Sequence, residues 1–304
     1  MIPQVKMLRY LRNQPYINQI GRFFLKRLPS KYDHWKLKWR TFGEITLKTH
    51  GSRFKMISRC DDGIVDQLFY QLNYAENLDL RVFTSFLKPN TKIVDIGANT
   101  GIYSLLCSVT EKNSYIYAFE PNPVNEARLR ENVSINDCKN IEILKLAVGT
   151  KPDRIQFTVP LNNIISDTSS AIASFSRSTY QGKMAWKSIE VDQISLDGFF
   201  LSKKENIDLI KIDVEGYEID VLKGGVQLFK FHRPKILLET FPDNNKRAYL
   251  NKFLADLEYD IFKINENGIY KDVEGLSSNF GLNYLLIPKN DLKDNYSFDE
   301  LKSI

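Results

Sequence analysis

Lys92-Ile-Val-Asp-Ile-Gly-Ala-Asn-Thr-Gly-Ile-Tyr-Ser104 organises the rest of this chain. Ile93, Val94 and Ile96 are β-branched and predict a short buried strand, preceded by a turn at Leu87-Lys88-Pro89-Asn90. Gly97-Ala98-Asn99-Thr100-Gly101 interrupts the strand, and Ile102, Leu105, Leu106 and Val109 then recur at helical spacing. Strand, glycine turn and helix in that order bring bare backbone N–H groups and a helix N-terminus up to a ligand. Two residues narrow the ligand. Asn99 stands where a dinucleotide-binding turn carries a glycine. Asp95 puts a carboxylate at the mouth of the strand, which repels a pyrophosphate and attracts a ligand carrying an ammonium and a sulfonium. S-adenosylmethionine (SAM) is such a ligand. Taken alone, the segment also fits an ordinary strand-to-helix turn with a capping Asp.

A chain of 304 residues can bury a full core, and its apolar and charged fractions, 43% and 26%, are those of a globular protein. No apolar run approaches the roughly 18 residues of a spanning helix, and the N-terminus lacks the features of a signal peptide. Cys60, Cys107 and Cys138 are scattered and form no C-x-x-C. These features predict a cytoplasmic protein. The net charge of +5 hides an asymmetry. Residues 1–43 hold ten Lys or Arg against a single acid, Asp33, so this arm carries +9 and the remainder −4. Phe23, Phe24 and Leu28 lie among Arg22, Lys26 and Arg27, followed by Trp35, Leu37 and Trp39. That mixture suits peripheral contact with an anionic membrane, and equally a solvated helix packed on its own protein. No nucleic-acid-binding motif accompanies it, so no nucleic acid is expected as a partner.

Four segments follow from the pattern: a basic arm (1–43), a hairpin and helices packed on the catalytic fold (44–90), the catalytic domain (91–290) and a polar tail (291–304). The hairpin is predicted around Gly51-Ser52, and helices near Val65–Leu72 and Asn77–Leu87. Tyr115–Phe119 reads as the second strand of the sheet, ending in Glu120, and Ile141–Val148 as the third. Glu120 lies 25 residues beyond Asp95, room for a helix and a neighbouring parallel strand. An acid there is placed to accept both ribose hydroxyls of an adenosyl group. Arg154–Val159 and Lys187–Ile194 form an inserted hairpin around a serine-rich stretch, Asn162–Gly182, where substrate loops are often found. In the strand leading to Gly216, alternation puts Leu209, Lys211 and Asp213 on one face and Ile210, Ile212 and Val214 on the other. A lysine in so apolar a strand needs a partner, and Asp213 is the obvious one. A further strand ends in Glu239, and helix 246–257, strand 259–264 and strand 283–288 complete an alternating α/β pattern.

Asp95-Ile-Gly-Ala-Asn-Thr-Gly-Ile-Tyr-Ser104, Phe119-Glu-Pro-Asn-Pro123, Ala147-Val-Gly149, Lys211-Ile-Asp-Val-Glu-Gly216 and Leu237-Leu-Glu239, in that order, resemble the FkbM family of SAM-dependent methyltransferases. The resemblance runs from about Tyr74-Ala-Glu76 to Pro288 and leaves the arm uncovered. It implies a class I methyltransferase fold, Rossmann-like and doubly wound, with a seven-stranded sheet whose last strand is antiparallel. It implies SAM as cofactor and O-methylation of a small-molecule or glycan acceptor. Residue by residue, it assigns Asp95, Gly97, Asn99, Gly101, Glu120, Asn122 and Ala147 to the cofactor, and Glu215 and Glu76 to the substrate or its surroundings.

A hydroxyl nucleophile must lose a proton, and none of His34, His50 and His232 falls in these blocks. The residues point to a carboxylate base, Asp213 first and Glu239 second, with Lys211 tuning the charge. Asp213 and Glu239 could instead hold Mg²⁺. Two other functions share the pattern: a non-catalytic module that keeps the fold for binding, and an NAD-dependent oxidoreductase, which Asp95 disfavours.

Overall fold

A computed structural model describes residues 15–29, 31, 36, 39–59, 62–71, 75–160, 186–203, 205–214, 216–240, 244–265, 268–271, 276, 283–289 and 291. In chain order it begins with α1 (Pro15–Leu25), the hairpin β1 (Phe42–Thr49) and β2 (Ser52–Arg59), α2 (Gly63–Tyr70) and α3 (Ala75–Ser85). There follow β3 (Lys92–Ile96), α4 (Ile102–Thr110), β4 (Tyr115–Phe119), α5 (Pro123–Ile135), β5 (Ile141–Leu144), β6 (Ala147–Val148), β7 (Asp153–Pro160) and β8 (Trp186–Ile194). The last part holds β9 (Leu209–Ile212), α6 (Glu218–Lys223), α7 (Val226–His232), β10 (Lys235–Glu239), α8 (Asn244–Asp256), β11 (Tyr259–Asn265), β12 (Gly268–Lys271) and β13 (Asn283–Pro288).

The main sheet runs β12-β11-β13-β10-β9-β3-β4-β5. Strands β5, β4, β3, β9 and β10 are parallel, whereas β13 is antiparallel to both β10 and β11. Seven of the eight strands give the expected doubly wound order of a class I methyltransferase. The eighth, β12, folds back on β11 by pairing Asn265 with Gly268. It escapes the sequence because it is only four residues long and opens on a glycine at φ +130°. Successive strands leave β3 toward β4 on one side and β9 toward β10 on the other, so the order reverses between β3 and β9. Crevices outside the carboxyl ends of strands form at such reversals.

Alternation along the strands divides the core as expected. Val94, Ile96, Ile210, Ile212 and Leu238 pack on one face of the sheet, and Ile93, Leu209 and Leu237 on the other. The predicted third strand is two. Leu146 N–H donates to Leu144 C=O at 2.9 Å, a three-residue turn that ends β5. After it, β6 pairs in parallel with β8, which also carries β7 as the predicted inserted hairpin.

The N-terminal hairpin has its own core. Ile45, Leu47, Phe54 and Met56 pack on Leu68 of α2 and on Leu105 and Leu106 of α4. Asp66 ties this unit to the segment before β1: Oδ1 accepts from the Thr41 N–H and hydroxyl, each at 2.6 Å, and Arg40 Nε lies 2.7 Å from Oδ2. Burial pushes the Asp66 carboxyl up to about 6, against the pull of Thr41 and Arg40. Along the outer edge of β2, side chains of α5 and of its C-cap residue Asn136 take the place of a strand. Asn136 accepts from Lys55 N–H at 2.7 Å and donates to Lys55 C=O at 2.8 Å. Asn132 accepts from Ile57 N–H at 2.8 Å. No helix among the described residues is long and apolar enough to cross a membrane.

Candidate active site

The turn after β3 is held tightly. Gly97 has φ +79°, and a Cβ there would lie 1.9 Å from the Asp213 carbonyl oxygen. The missing side chain lets the turn touch the end of β9, since Asp213 N–H also bonds to Ile96 C=O at 3.0 Å. Asn99 sits at φ 53°, a left-handed conformation that Asn tolerates better than most residues. The expected bare N–H groups are in use. Gly97 and Ala98 donate to Phe119 C=O at 2.9 and 3.0 Å, Gly101 donates to Ala98 C=O at 2.8 Å, and Asn99 donates to Glu120 Oε2 at 2.8 Å. A phosphate cradle needs such donors free. This turn presents carboxylates instead.

Asp95 is buried at the end of β3, where Oδ2 accepts from Ser104 Oγ at 2.6 Å and Oδ1 has no partner among the described residues. Burial pushes its carboxyl above the usual range, while Lys211 and Ser104 pull it down. Glu120 is equally buried. Its Oε1 accepts from Asn122 N–H at 2.9 Å, and each of its oxygens keeps a second lone pair for another donor. Burial pushes Glu120 up to about 7 against those two backbone N–H groups. An apolar cleft opens beside it, lined by Gly97, Phe119, Pro121, Ala147, Phe157 and Tyr217. An ammonium suits the orphaned Asp95 oxygen, ribose hydroxyls suit Glu120 and a flat ring suits the cleft, so these residues fit SAM.

Across the turn, Lys211 Nζ lies 2.8 Å from Asp213 Oδ2, the Lys211 side chain 6% exposed and Asp213 27%. Burial works against the ammonium, but Asp213, Asp95 and Glu239 outweigh it and hold Lys211 above its usual value. The ammonium also lies 4.6 Å from the centre of the Tyr103 ring. Burial, then the field of Asp79, Glu239, Asp213 and Asp95, keeps Tyr103 protonated far above neutral pH. Asp79, fully buried on α3, accepts from Asn283 Nδ2 at 2.6 Å, and Asn283 is the register partner of Glu239. Three carboxylates, Asp95, Asp213 and Glu239, therefore surround one lysine where β3, β9 and β10 end, and Asp79 joins them around Tyr103.

Against known families, residues 95–261 match the methyltransferase FkbM domain, beginning at Asp95 itself and covering more than half of the chain. The chain belongs to the FkbM methyltransferase family. Methyltransferase sdnD of Sordaria araneosa is 28% identical over 196 residues, 58% of this chain and 76% of that protein. The hexuronic acid methyltransferase AglP of Haloferax volcanii is 31% identical over 145 residues, 48% of this chain and 54% of its own. The 2-O-methyltransferase NoeI of Sinorhizobium fredii is 27% identical over 148 residues, 45% of this chain and 58% of its own. The chain thus spans little more than half the length of the last two. Among solved structures, an FkbM methyltransferase from Methylobacillus flagellatus superposes with a TM-score of 0.44 at 16% identity, over 76% of this chain and 56% of that one.

The FkbM blocks read from the sequence converge here: Asp95, Gly97, Asn99, Glu120 and Ala147 on one side of the turn, Lys211, Asp213 and Glu239 on the other. Gly101, at φ +96°, opens α4 and packs on Leu129. The Asn122 side chain caps α5 by accepting from Val124 N–H at 3.0 Å, so it is the Asn122 backbone that faces Glu120. Glu215, the Glu76 side chain and the serine-rich stretch lie outside the described residues. Among the described residues no three His, Cys, Asp or Glu side chains are grouped to hold a metal ion. His232 accepts from Ile207 N–H at 3.3 Å, away from the crevice. Tyr103, Asp79, Asn283 and Phe157 were not anticipated. Tyr103 alone had a sequence signal, its place one turn of chain after Asn99.

Proposed function

We propose that this FkbM protein is a SAM-dependent O-methyltransferase acting on a hydroxyl of a sugar, glycan or related small acceptor. The carrying observation is that the Gly97 turn has buried carboxylates with spare acceptor capacity on one side and the Lys211–Asp213 pair on the other. Bound SAM supplies a methyl group activated by a sulfonium. Asp95 Oδ1 takes its ammonium, Glu120 its ribose hydroxyls and the cleft beside Ala147 its adenine. Family membership selects this donor over the nicotinamide alternative, and the relatives AglP, a hexuronic acid methyltransferase, and NoeI, a 2-O-methyltransferase, support a sugar hydroxyl as acceptor.

Asp213 would accept the hydroxyl proton as the oxygen–methyl bond forms and the methyl–sulfur bond breaks, leaving a neutral thioether. Lys211 holds one Asp213 oxygen and, raised above its usual value, stays charged, so it orients the base and does not replace it. Glu239 is the second candidate. The ammonium 2.8 Å from Asp213 already supplies a cation there, which favours a base over a divalent ion. Orientation of the hydroxyl against the methyl carbon contributes several kcal/mol more.

The test uses labelled SAM with a panel of hexuronic acids and other sugars. Asp213→Asn keeps shape, removes proton acceptance and is expected to lower turnover about 10²–10⁴-fold with little change in SAM affinity. Activity that vanishes with EDTA and returns with Mg²⁺ would assign the pair to a metal. A folded wild-type protein that binds SAM but methylates no acceptor would be the non-catalytic module.

A further inference from the structure

Helix α1 is built inside out. At 100° per residue, Asn18, Gly21, Arg22, Leu25 and Lys26 share one face, and this face, polar but for Leu25, is the one that meets the protein. Asn18 is fully buried and donates from Nδ2 to Arg40 C=O at 2.9 Å. Gly21 lies against Trp39, where a Cβ would come within 2.2 Å of the ring. The Arg22 guanidinium and Lys26 ammonium sit over the Phe69 ring, 5.1 and 4.6 Å from its centre. The opposite face is apolar and open: Tyr16 is 82% exposed, Ile20 60%, Phe23 56% and Phe24 64%. Surface helices of globular proteins bury their apolar face and show their polar one.

The charge around that face narrows its occupant. Lys26, Arg27 and Lys31 are exposed, and the Arg27 guanidinium stacks 3.6 Å from the centre of the Phe23 ring. The only acid in residues 1–43 is Asp33, against ten cations. A second copy would bring the exposed Lys26, Arg27 and Lys31 up against their own like charges. An anionic bilayer instead offers phosphates for the cations and acyl chains for the rings, which is how interfacial helices bind.

We propose that α1 docks this protein on an anionic membrane surface, its Tyr16–Ile20–Phe23–Phe24 face entering the acyl boundary and its cations meeting lipid phosphates. The full chain is expected to co-sediment with phosphatidylglycerol–phosphatidylcholine vesicles, to ignore phosphatidylcholine alone, and to be released by salt. Ile20→Ser with Phe24→Ser, and separately Arg27→Glu with Lys31→Glu, should each lower the bound fraction at least tenfold. Ile20 and Phe24 are exposed, so the melting temperature of the serine variant should not move. Equal sedimentation of either double variant and wild type overturns the proposal. So does a wild-type dimer in analytical ultracentrifugation that Ile20→Ser with Phe24→Ser dissolves while vesicle binding is absent, since that makes a second copy the occupant.

Discussion

Glu120 joins two properties that pull against each other. It is buried deeply enough to raise its carboxyl to about 7, yet the proposed ligand presents hydroxyl donors that prefer the carboxylate. Binding should therefore expel a proton near neutrality. At pH 6.5 roughly three-quarters of a proton should leave per SAM bound, read by calorimetry in buffers of different ionisation heat. Affinity should rise with pH up to about 7 and then level off. The sign for stability is the reverse: a raised folded-state value favours the ligand-free fold at low pH, and that contribution is lost as pH climbs through about 7. Glu120→Ala should weaken SAM about tenfold or more and abolish the proton release. Unchanged affinity and unchanged proton count in that variant would remove Glu120 from the site.

The glycine turn after β3 converts a sequence motif into a contact between strands. Gly97→Ala would place a methyl on the Asp213 carbonyl oxygen in a left-handed backbone, and should cost about 3 kcal/mol or more with loss of SAM binding. Gly101→Ala meets only the flexible end of Leu129, so about 1–2 kcal/mol is expected. Denaturant titration of the two variants checks the order, and equal costs would refute the contact as its cause. Strands such as β3 and β9 were legible because apolar alternation and glycine turns are local signals. Lys211 with Asp213 was legible for the same reason, two residues apart on one strand. The break between β5 and β6 was not, because apolar residues run on across it from Ile143 and Leu144 to Leu146, Ala147 and Val148, and only the Leu144–Leu146 turn divides them. Tyr103 stayed hidden for another reason. Its neighbours Lys211, Asp79 and Phe83 come from two other elements, β9 and α3, and nothing in one stretch of sequence records where a helix packs.

Across the whole molecule the N-terminal hairpin and the crevice share α4, which turns Leu105 and Leu106 toward the hairpin and Ser104 toward Asp95. Phe54, 1% exposed beneath the hairpin, is the test of that coupling. Phe54→Ala should lower stability by about 3–5 kcal/mol, and hydrogen exchange should show α4 losing protection together with β1 and β2. Full protection of α4 in that variant would make the hairpin an independent appendage. The clamp of Asn132 and Asn136 on β2 reaches further. A two-stranded sheet ends in open edges, and an open edge is a template on which another chain can add a strand. On β2 the amides of α5 and its C-cap already occupy the Lys55 and Ile57 groups that such a strand would use. Loss of α5 uncovers this template, so clumping of the protein on heating should follow the stability of that one helix.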